Sequence, residues 1–509
     1  MDILIASAAF LVFFFFIHRI HRRRTSNSLP IPGPPPHPFV GHTFQVPTIK
    51  TWKYFEQLSH QYGPIVKVTL AGDDFVVLSD PADAEELLGR RARIYSSRRP
   101  LIYAGKYRSN DMRMSLMPYG DNLKKQRAAF HQMLQPRAIG GYEGSQHRES
   151  LNLLLDLIKT PGEYFLHFQR FSASLVFTLS FGQFIDDDGK ALGEIIALMA
   201  TFVQDTNPSA YLVDTFPILD WLPDCLAAWR VEARHKHQLE LDLYGRLALG
   251  VKARMEKDVG MECFTARLWE QQTKLNLTDE ELFYVAGTAF IAGTDTSSIS
   301  LLWFVMAMAL YPATMRKAQD EIDQVFDPDT LPNFTKMQDL PYCAALIKEV
   351  IRWSPVVPLS VPHYTDADDQ YKGYTIRKGT SVISSLWNMH HDETKFPNSY
   401  IFDPERHRSK DSSIGDATES LGEGHYGFGF GRRKCPGQHM GAKSTWIAVV
   451  RVLWAFNIEP RKDEEGNPMK IDPEDCTSGI TVRPNKFPVN FVPRSGAHTE
   501  TIVSSGGRA

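Results

Sequence analysis

Apolar and polar positions divide the chain into distinct stretches. Residues Ile3 to Ile17 are apolar except for Ser7. Between Pro64 and Asp80, "PIVKVTLAGDDFVVLSD" holds two short β-branched runs around a Gly-Asp turn, which predicts a strand pair. From there to about residue 355 the apolar positions recur with helical spacing, as in "DPADAEELLGRRARIY", "DNLKKQRAAFHQML" and "ATMRKAQDEIDQVF". Strand-like pieces return in "YTIRKGTSVISS" and "GITVRPNKFPVNFVP". "RSKDSSIGDATESLGEG" (Arg408 to Gly424) is a polar loop, and the closing "SGAHTETIVSSGGRA" predicts a disordered tail. Strand pieces at both ends with helices between them predict a mainly α fold with small β-sheets (α+β), one large domain in which the chain's ends meet.

The N-terminal apolar run is short of the roughly 20 residues a helix needs to cross a bilayer. Extension through Ile20, with His18 and Arg19 snorkelling, makes up most of the difference. Asp2 precedes the run and Arg19, Arg22, Arg23 and Arg24 follow it, the reverse of a cleaved secretory signal. The positive-inside rule then places the rest of the chain in the cytosol. The alternative is a helix packed on the domain surface. "LPIPGPPPHPF" follows, with six prolines between Pro30 and Pro38, a stiff extended spacer. In a cytosolic chain the glycosylation-like triplets Asn276-Leu-Thr278 and Asn333-Phe-Thr335 are idle.

"TDEELFYVAGTAFIAGTDTSSISLLWFVMAMALYP" opens with Thr278 and Glu281 in capping-box spacing and ends at Tyr311-Pro312. It predicts a helix about 50 Å long, apolar nearly all round. Such a helix spans a membrane or runs through a large core. An Asp at its middle, in "AGTDTSS" (Ala292 to Ser298), favours the core. Gly293 and the flanking hydroxyls predict a local opening of the helix with room for a small molecule. Thr296 and Asp295 offer a hydroxyl and a titratable group, the parts of a proton relay. Taken alone, the segment reads more readily as a packing detail.

"KEVIRWSP" places Glu349 and Arg352 on one helix face, a spacing that is often only a surface pair. "FDPERH" offers Arg406 in a Pro-bracketed turn. If the three meet they form a fixed bidentate cluster.

"FGFGRRKCPG" surrounds Cys435 with what a thiolate needs. Gly429, Gly431 and Gly437 allow tight turns that present N–H groups, and Arg432, Arg433 and Lys434 add charge. "QHMGAKSTWIAVVRVLWAF" then has helical periodicity, so Cys435 sits near a helix N-terminus. Arg433 could instead address carboxylates of a ligand. A thiolate, a flat cofactor with carboxylates and a groove opposite indicate haem.

Composition narrows the class further. The chain has 509 residues, 43% of them hydrophobic, enough for a large core. Its net charge of -3 gives no global basic field for nucleic acid. The five scattered cysteines lack any C-x-x-C spacing, which suits a reducing compartment and argues against a disulfide framework or a zinc site.

Four separated motifs together resemble the cytochrome P-450 monooxygenases of microsomal type. "FGFGRRKCPG" is similar to the family's F-G-x-G-x-R-x-C-x-G segment. The resemblance makes Cys435 the axial thiolate, puts Arg433 at a haem propionate, and places Phe428, Gly429 and Gly437 around the cofactor. "AGTDTS" resembles the oxygen-activation segment, with Ala292, Gly293, Asp295 and Thr296 at the distal face. Glu349, Arg352 and Arg406 resemble the structural ion triad, and the apolar start with its proline hinge resembles a membrane anchor. One departure stands out in "YGDNLKKQRAAFH". Leu123 replaces the usual Trp, so the propionate contact rests on Arg127 without the indole donor. His363 in "SVPH" falls at another propionate-binding position.

The resemblance implies a single haem domain (41–495) behind an anchor (1–20) and a basic, proline-rich hinge (21–40), with the disordered tail at 496–509. It implies haem b (iron protoporphyrin IX) and electrons from NADPH through NADPH–cytochrome P-450 reductase, with cytochrome b5 as an optional second donor. Lys124, Lys125 and Lys443 are candidates for the reductase-facing surface, or simply a solvated charged face. The expected setting is the endoplasmic reticulum membrane, with the catalytic domain cytosolic. The substrate expected is a lipophilic small molecule, such as a terpenoid or polyketide of fungal secondary metabolism. Its walls would come from Arg108 to Met117, Phe290, Ala292, Val356 to Val361 and Ser478 to Thr481. Two other classes remain, a thiolate-haem isomerase or dehydratase needing no external electrons and a non-enzymatic haem binder.

Overall fold

The computed structural model describes residues 29–38, 40–183, 190–206, 210–259, 262–408 and 421–506. The expected anchor, the basic half of the hinge and most of the polar loop at 408–424 lie outside the described residues. Helices of eight or more residues are α1 (Thr51–Tyr62), α2 (Asp121–Leu134), α3 (Glu143–Lys159), α4 (Tyr164–Phe181), α5 (Lys190–Asp205) and α6 (Ala228–Glu256). They continue with α7 (Phe264–Leu275), α8 (Asp279–Leu310), α9 (Pro312–Asp323), α10 (Pro341–Trp353), α11 (Gln438–Ala455) and α12 (Gly496–Gly506).

The largest sheet runs β1 (Ile65–Leu70), β2 (Asp73–Leu78), β6 (Ser381–Ser384), β3 (His363–Tyr364) in spatial order. β1 and β2 are antiparallel across a turn at Ala71-Gly72, and β2 pairs parallel with β6 from Phe75↔Ser381 to Leu78↔Ser384. β4 (Asp369–Tyr371) with β5 (Tyr374–Ile376), and β7 (Phe456–Pro460) with β8 (Val489–Pro493), form separate pairs. Early and late strands therefore do meet, and the Lys50 ammonium reaches Glu474 Oε2 at 3.3 Å.

α8 is the axis of the helical region. The Thr278 hydroxyl accepts from Glu281 N–H at 3.2 Å and Glu281 Oε2 accepts from Thr278 N–H at 2.9 Å, so the capping box forms. Such a cap contributes about 1 kcal/mol. The helix is long and apolar enough to cross a bilayer, but Leu301 to Ala309 are buried in the core that α8 shares with α4, α10 and α11. Both glycosylation-like triplets owe their polar residues to helix ends. Asn276 is the left-handed C-cap of α7, and Asn333 accepts from Thr335 N–H.

Three expectations are corrected. Residues 496–506 are not a disordered tail but form α12. Its His498 and Ile502, one turn apart, are buried against Trp454 and α3, so tertiary burial overrides a polar composition. The described part of the proline segment is not a free spacer. Pro32 O accepts from Lys67 N–H at 2.8 Å along the outer edge of β1, and Leu29 N–H donates to Gly373 O at 3.1 Å. Lastly, α8 does not open at Gly293. Thr294 and Thr296 donate to the carbonyls of Phe290 and Ala292 without breaking the helix. Gly293 serves packing instead: a Cβ there would fall 2.9 Å from Val176 of α4.

Candidate active site

The Cys435 loop is built by backbone. Cys435 N–H donates to Phe428 O at 2.9 Å, and Gly429 N–H to Tyr426 O at 2.9 Å. The loop rests on the π-helical turn Glu85–Arg90. Gly431, at φ 55, comes so close that a Cβ would lie 2.0 Å from Leu88 O, so only glycine fits. α11 begins at Gln438 with Gly437 as its cap, which puts Cys435 just ahead of a helix N-terminus. Burial pushes the Cys435 thiol up, while the Gly437 N–H and the Arg127 and Lys434 charges pull it back. The side chain nevertheless keeps accessible surface. It is enclosed by protein without being packed against it, unlike the buried Cys343.

Four basic groups gather around this loop, none of them hydrogen-bonded to a carboxylate among the described residues. Arg433 donates to Ser96 O at 2.7 Å, Met114 O at 3.1 Å and Met117 O. Arg98 donates to Val361 O at 2.7 Å and Pro362 O at 2.8 Å. His363 Nδ1 lies 2.7 Å from Tyr95 O, and Arg127 donates to Lys434 O at 3.1 Å. Among the described residues the hydrogen-bond partners of these groups are backbone carbonyls, and none of the four forms an ion pair. Burial lowers Arg98, and Arg433 lowers it further. Burial pulls Arg433 down to about 10, with Arg127 adding to it and the exposed Asp366 carboxylate acting the other way. His363 is pushed well below the usual histidine range by burial and then by Arg98. Desolvated like charges of this kind call for an anionic ligand. A thiol beside them and a carboxylated cofactor satisfy the arrangement together, so the residues present fit haem. Arg98 was missed by the sequence reading. "SSRRP" carries no motif, and only the fold brings it to Arg433.

α8 packs on α11, the helix that follows the Cys435 loop. Ala292 keeps exposure in the middle of this core helix, while Thr296 Oγ1 donates to Ala292 O at 2.8 Å. Burial pushes the Asp295 carboxyl up, partly offset by a Thr481 hydrogen bond at 3.2 Å and the Arg483 charge.

Glu349, Arg352 and Arg406 are brought together. Arg352 donates to both Glu349 oxygens, at 2.7 and 2.8 Å, and Arg406 Nε to Oε1 at 3.1 Å. His407 Nε2, an unanticipated fourth member, lies 2.9 Å from Oε2. Burial would raise Glu349, but Arg352 and then His407 hold its carboxyl below the usual range.

Other expectations shift. Phe290 is not a cavity wall; it is buried edge-on against Phe177 at 5.9 Å. Arg108 and Arg113 turn away into a buried ion network with Glu240 and Asp205. Lys125 and Lys443 do not form an open basic face. Glu281 holds the first at 3.2 Å and Glu143 the second at 2.6 Å, with Lys443 largely buried. The open cleft of about 530 Å³ beside Phe428, Gly429 and Lys434 borders the outer side of the Cys435 loop, away from α8.

The profile of the cytochrome P-450 family matches residues 31–491. Among curated proteins, the chain is 35% identical to cytochrome P-450 monooxygenase 58 of Postia placenta, over 91% of this chain and 88% of that one. It is 32% identical to a cytochrome P-450 monooxygenase of Armillaria gallica, over 91% and 89% of the two chains. It is also 32% identical to cytochrome P-450 monooxygenase yanC of Aspergillus niger, over 96% and 93%. The chain belongs to the cytochrome P-450 family and is a haem-thiolate monooxygenase.

Proposed function

We propose that Cys435 is the axial ligand of haem b, that Arg98, Arg433, His363 and Arg127 hold its propionates, and that Thr296 and Asp295 manage protons at the distal face. The observation that carries this reading is the unpacked thiol at a helix N-terminus beside four basic groups that form no ion pair among the described residues. When bound, the haem supplies the activation of dioxygen and the oxidising power for oxygen insertion, while the protein supplies orientation and electrostatics. Arg433 and Arg98 then exchange backbone carbonyls for propionate oxygens. Gly437 N–H and the α11 N-terminus keep the Cys435 sulfur anionic. The Thr296 hydroxyl releases Ala292 O to hydrogen-bond at the reacting centre, and Asp295 passes a proton taken from water. Glu349 with Arg352 and Arg406 fixes α10 against the segment that leads to the Cys435 loop.

The substrate we infer is an apolar molecule of medium size, bordered by Ala292 and by Val356 to Val361. A fungal secondary metabolite is supported only by the company of fungal relatives. NADPH–cytochrome P-450 reductase, with cytochrome b5 as an auxiliary donor, is the electron source proposed, and the requirement for NADPH separates a monooxygenase from an isomerase or dehydratase.

Endoplasmic reticulum attachment is supported by the N-terminal apolar run and by an exposed apolar strip at Leu212, Phe216, Ile218, Trp221 and Leu226. The Asp214 backbone carbonyl in this strip accepts from Arg99, which also pairs with Asp73 at the β1–β2 turn, near exposed Phe44. Deleting residues 1–28 should weaken membrane sedimentation and leave a remainder that Trp221→Ser with Phe44→Ser removes. Complete release by the deletion alone would leave the strip without this role.

The central test is the carbon monoxide difference spectrum of the dithionite-reduced protein. A far-red Soret band in the wild type, lost in Cys435→Ala, is expected. Retention of that band by the variant would remove Cys435 as ligand.

A further inference from the structure

Asp295 has an oriented partner outside its own helix. Thr481 Oγ1 donates to its Oδ2 at 3.2 Å, while Oδ1 accepts no hydrogen bond among the described residues. The turn that carries Thr481 is held independently of this contact. Cys476 and Pro484 bridge its base, Thr477 N–H donates to Arg483 O at 2.9 Å, and Arg483 N–H donates to Thr477 Oγ1 at 3.1 Å. Val482 is fixed twice: its N–H donates to Val356 O at 2.8 Å, and its carbonyl accepts from Trp303 Nε1 at 3.0 Å. Trp303 and Asp295 share α8, about 12 Å apart along its axis. The turn is thus anchored to α8 at Trp303 and presents Thr481 to Asp295 from a rigid base.

We propose that Thr481 is a positioning residue for proton transfer, directing the transferable proton of Asp295 to Oδ1. The inference rests on the reading of Asp295 as a proton donor. A hydroxyl that donates into Oδ2 leaves Oδ1 as the oxygen that carries the acid proton. In the transfer the Oδ1–H bond breaks and the proton passes, directly or through water, to the Thr296 oxygen as the Thr296 O–H bond breaks and its own proton goes to the reacting centre. The carboxylate left behind is stabilised by the Thr481 bond, and solvent water returns the proton. Arg483 on the same turn is the charged group that acts on Asp295, and α4 presents Val176 across Gly293. Loss of the Thr481 donor therefore removes a stabiliser of the ionised form that Arg483 alone does not replace.

The test uses the full-length holoprotein with Thr481→Val, Thr481→Ala and Thr481→Ser. The infrared carboxylic-acid band of Asp295, taken as the difference from Asp295→Asn, is titrated without turnover. The Val and Ala variants should move its midpoint upward by about one pH unit, on the order of tenfold in ionisation constant. Thr481→Ser should restore the wild-type midpoint. Product formed per NADPH should fall with the first two variants and recover with the third. An unchanged midpoint in Thr481→Val, or a shift in only one of the Val and Ala variants, overturns the proposal. If the midpoint moves as expected while Asp295→Asn remains fully coupled, the positioning role stands and the reading of Asp295 as proton donor falls.

Discussion

Arg98 and Arg113 are both almost wholly buried, at 8% and 2% exposure, yet their surroundings act on them in opposite directions. Burial lowers Arg98 and Arg433 lowers it further. Burial also works against the Arg113 cation, but Glu240, followed by Tyr244 and Tyr284, more than offsets it, so Arg113 is raised. The difference is stoichiometric. Around Arg113, the cations Arg108, Arg113 and Lys236 meet the anions Glu240, Asp205 and Glu232, with Glu240 2.5 Å from Arg113 and 3.0 Å from Arg108. Among the described residues Arg98 meets Arg433, His363 and backbone carbonyls, and the one carboxylate acting on the cluster is that of exposed Asp366, on Arg433, with no ion pair formed. A balanced buried network is complete as it stands, and it ties the 108–113 segment to α5, α6 and α8. An unbalanced one is completed by something the chain does not encode, here the carboxylates of a cofactor.

The largest effect should come from unbalancing the balanced region. Glu240→Gln leaves Arg108 and Arg113 buried without half of their countercharge, and breaking such a group costs about 3–5 kcal/mol. Thermal and denaturant unfolding of the holoprotein should show that loss. A destabilisation below about 1 kcal/mol would mean the network is solvated and the comparison fails.

The reverse experiment should give a smaller effect and a different pattern. Arg98→Met removes one excess cation, so the apoprotein should be no less stable, while haem dissociates faster by roughly tenfold, about 1.4 kcal/mol, as for one charge-assisted hydrogen bond. Haem transfer to apomyoglobin measures the rate and unfolding of the apoprotein measures the stability. A variant that destabilises the apoprotein while holding haem normally would make Arg98 a structural residue like Arg113.

That contrast was only partly legible in the sequence. Capping-box spacing placed the start of α8, because a helix end is a local problem solved within four residues. The two short runs around a Gly-Asp turn in 65–78 predicted β1 and β2 for the same reason. Cys435 could be singled out because glycine spacing and charge lie within ten residues of it. Arg98 could not, since its meaning comes from Arg433, more than three hundred positions away. Local composition misled where tertiary contact decides. The polar stretch 496–506 is helical because His498 and Ile502 find Trp454 and α3, and the proline segment lies on the domain because β1 had an unpaired edge. At Gly293 the glycine and hydroxyls suggested an opened helix, whereas the close approach of Val176 uses the same missing side chain.

The finest distinction between the two regions is their response to acid. His363 belongs to the unbalanced one, and its folded-state value lies well below the usual 6.5 because of burial, then Arg98. The unfolded chain therefore binds the proton first as pH falls. The stability tied to neutral His363 is fully present above about pH 6.5 and is lost progressively below it. Propionates set beside His363 favour its protonated form and should diminish this loss. Apoprotein stability should fall more steeply than holoprotein stability between about pH 6.5 and 5, and His363→Gln should bring the two slopes closer together. Calorimetry of the two forms across that range measures the difference. Equal slopes in the wild type would place His363 outside the reach of the cofactor's charge, leaving Arg98, Arg433 and Arg127 as the anion site.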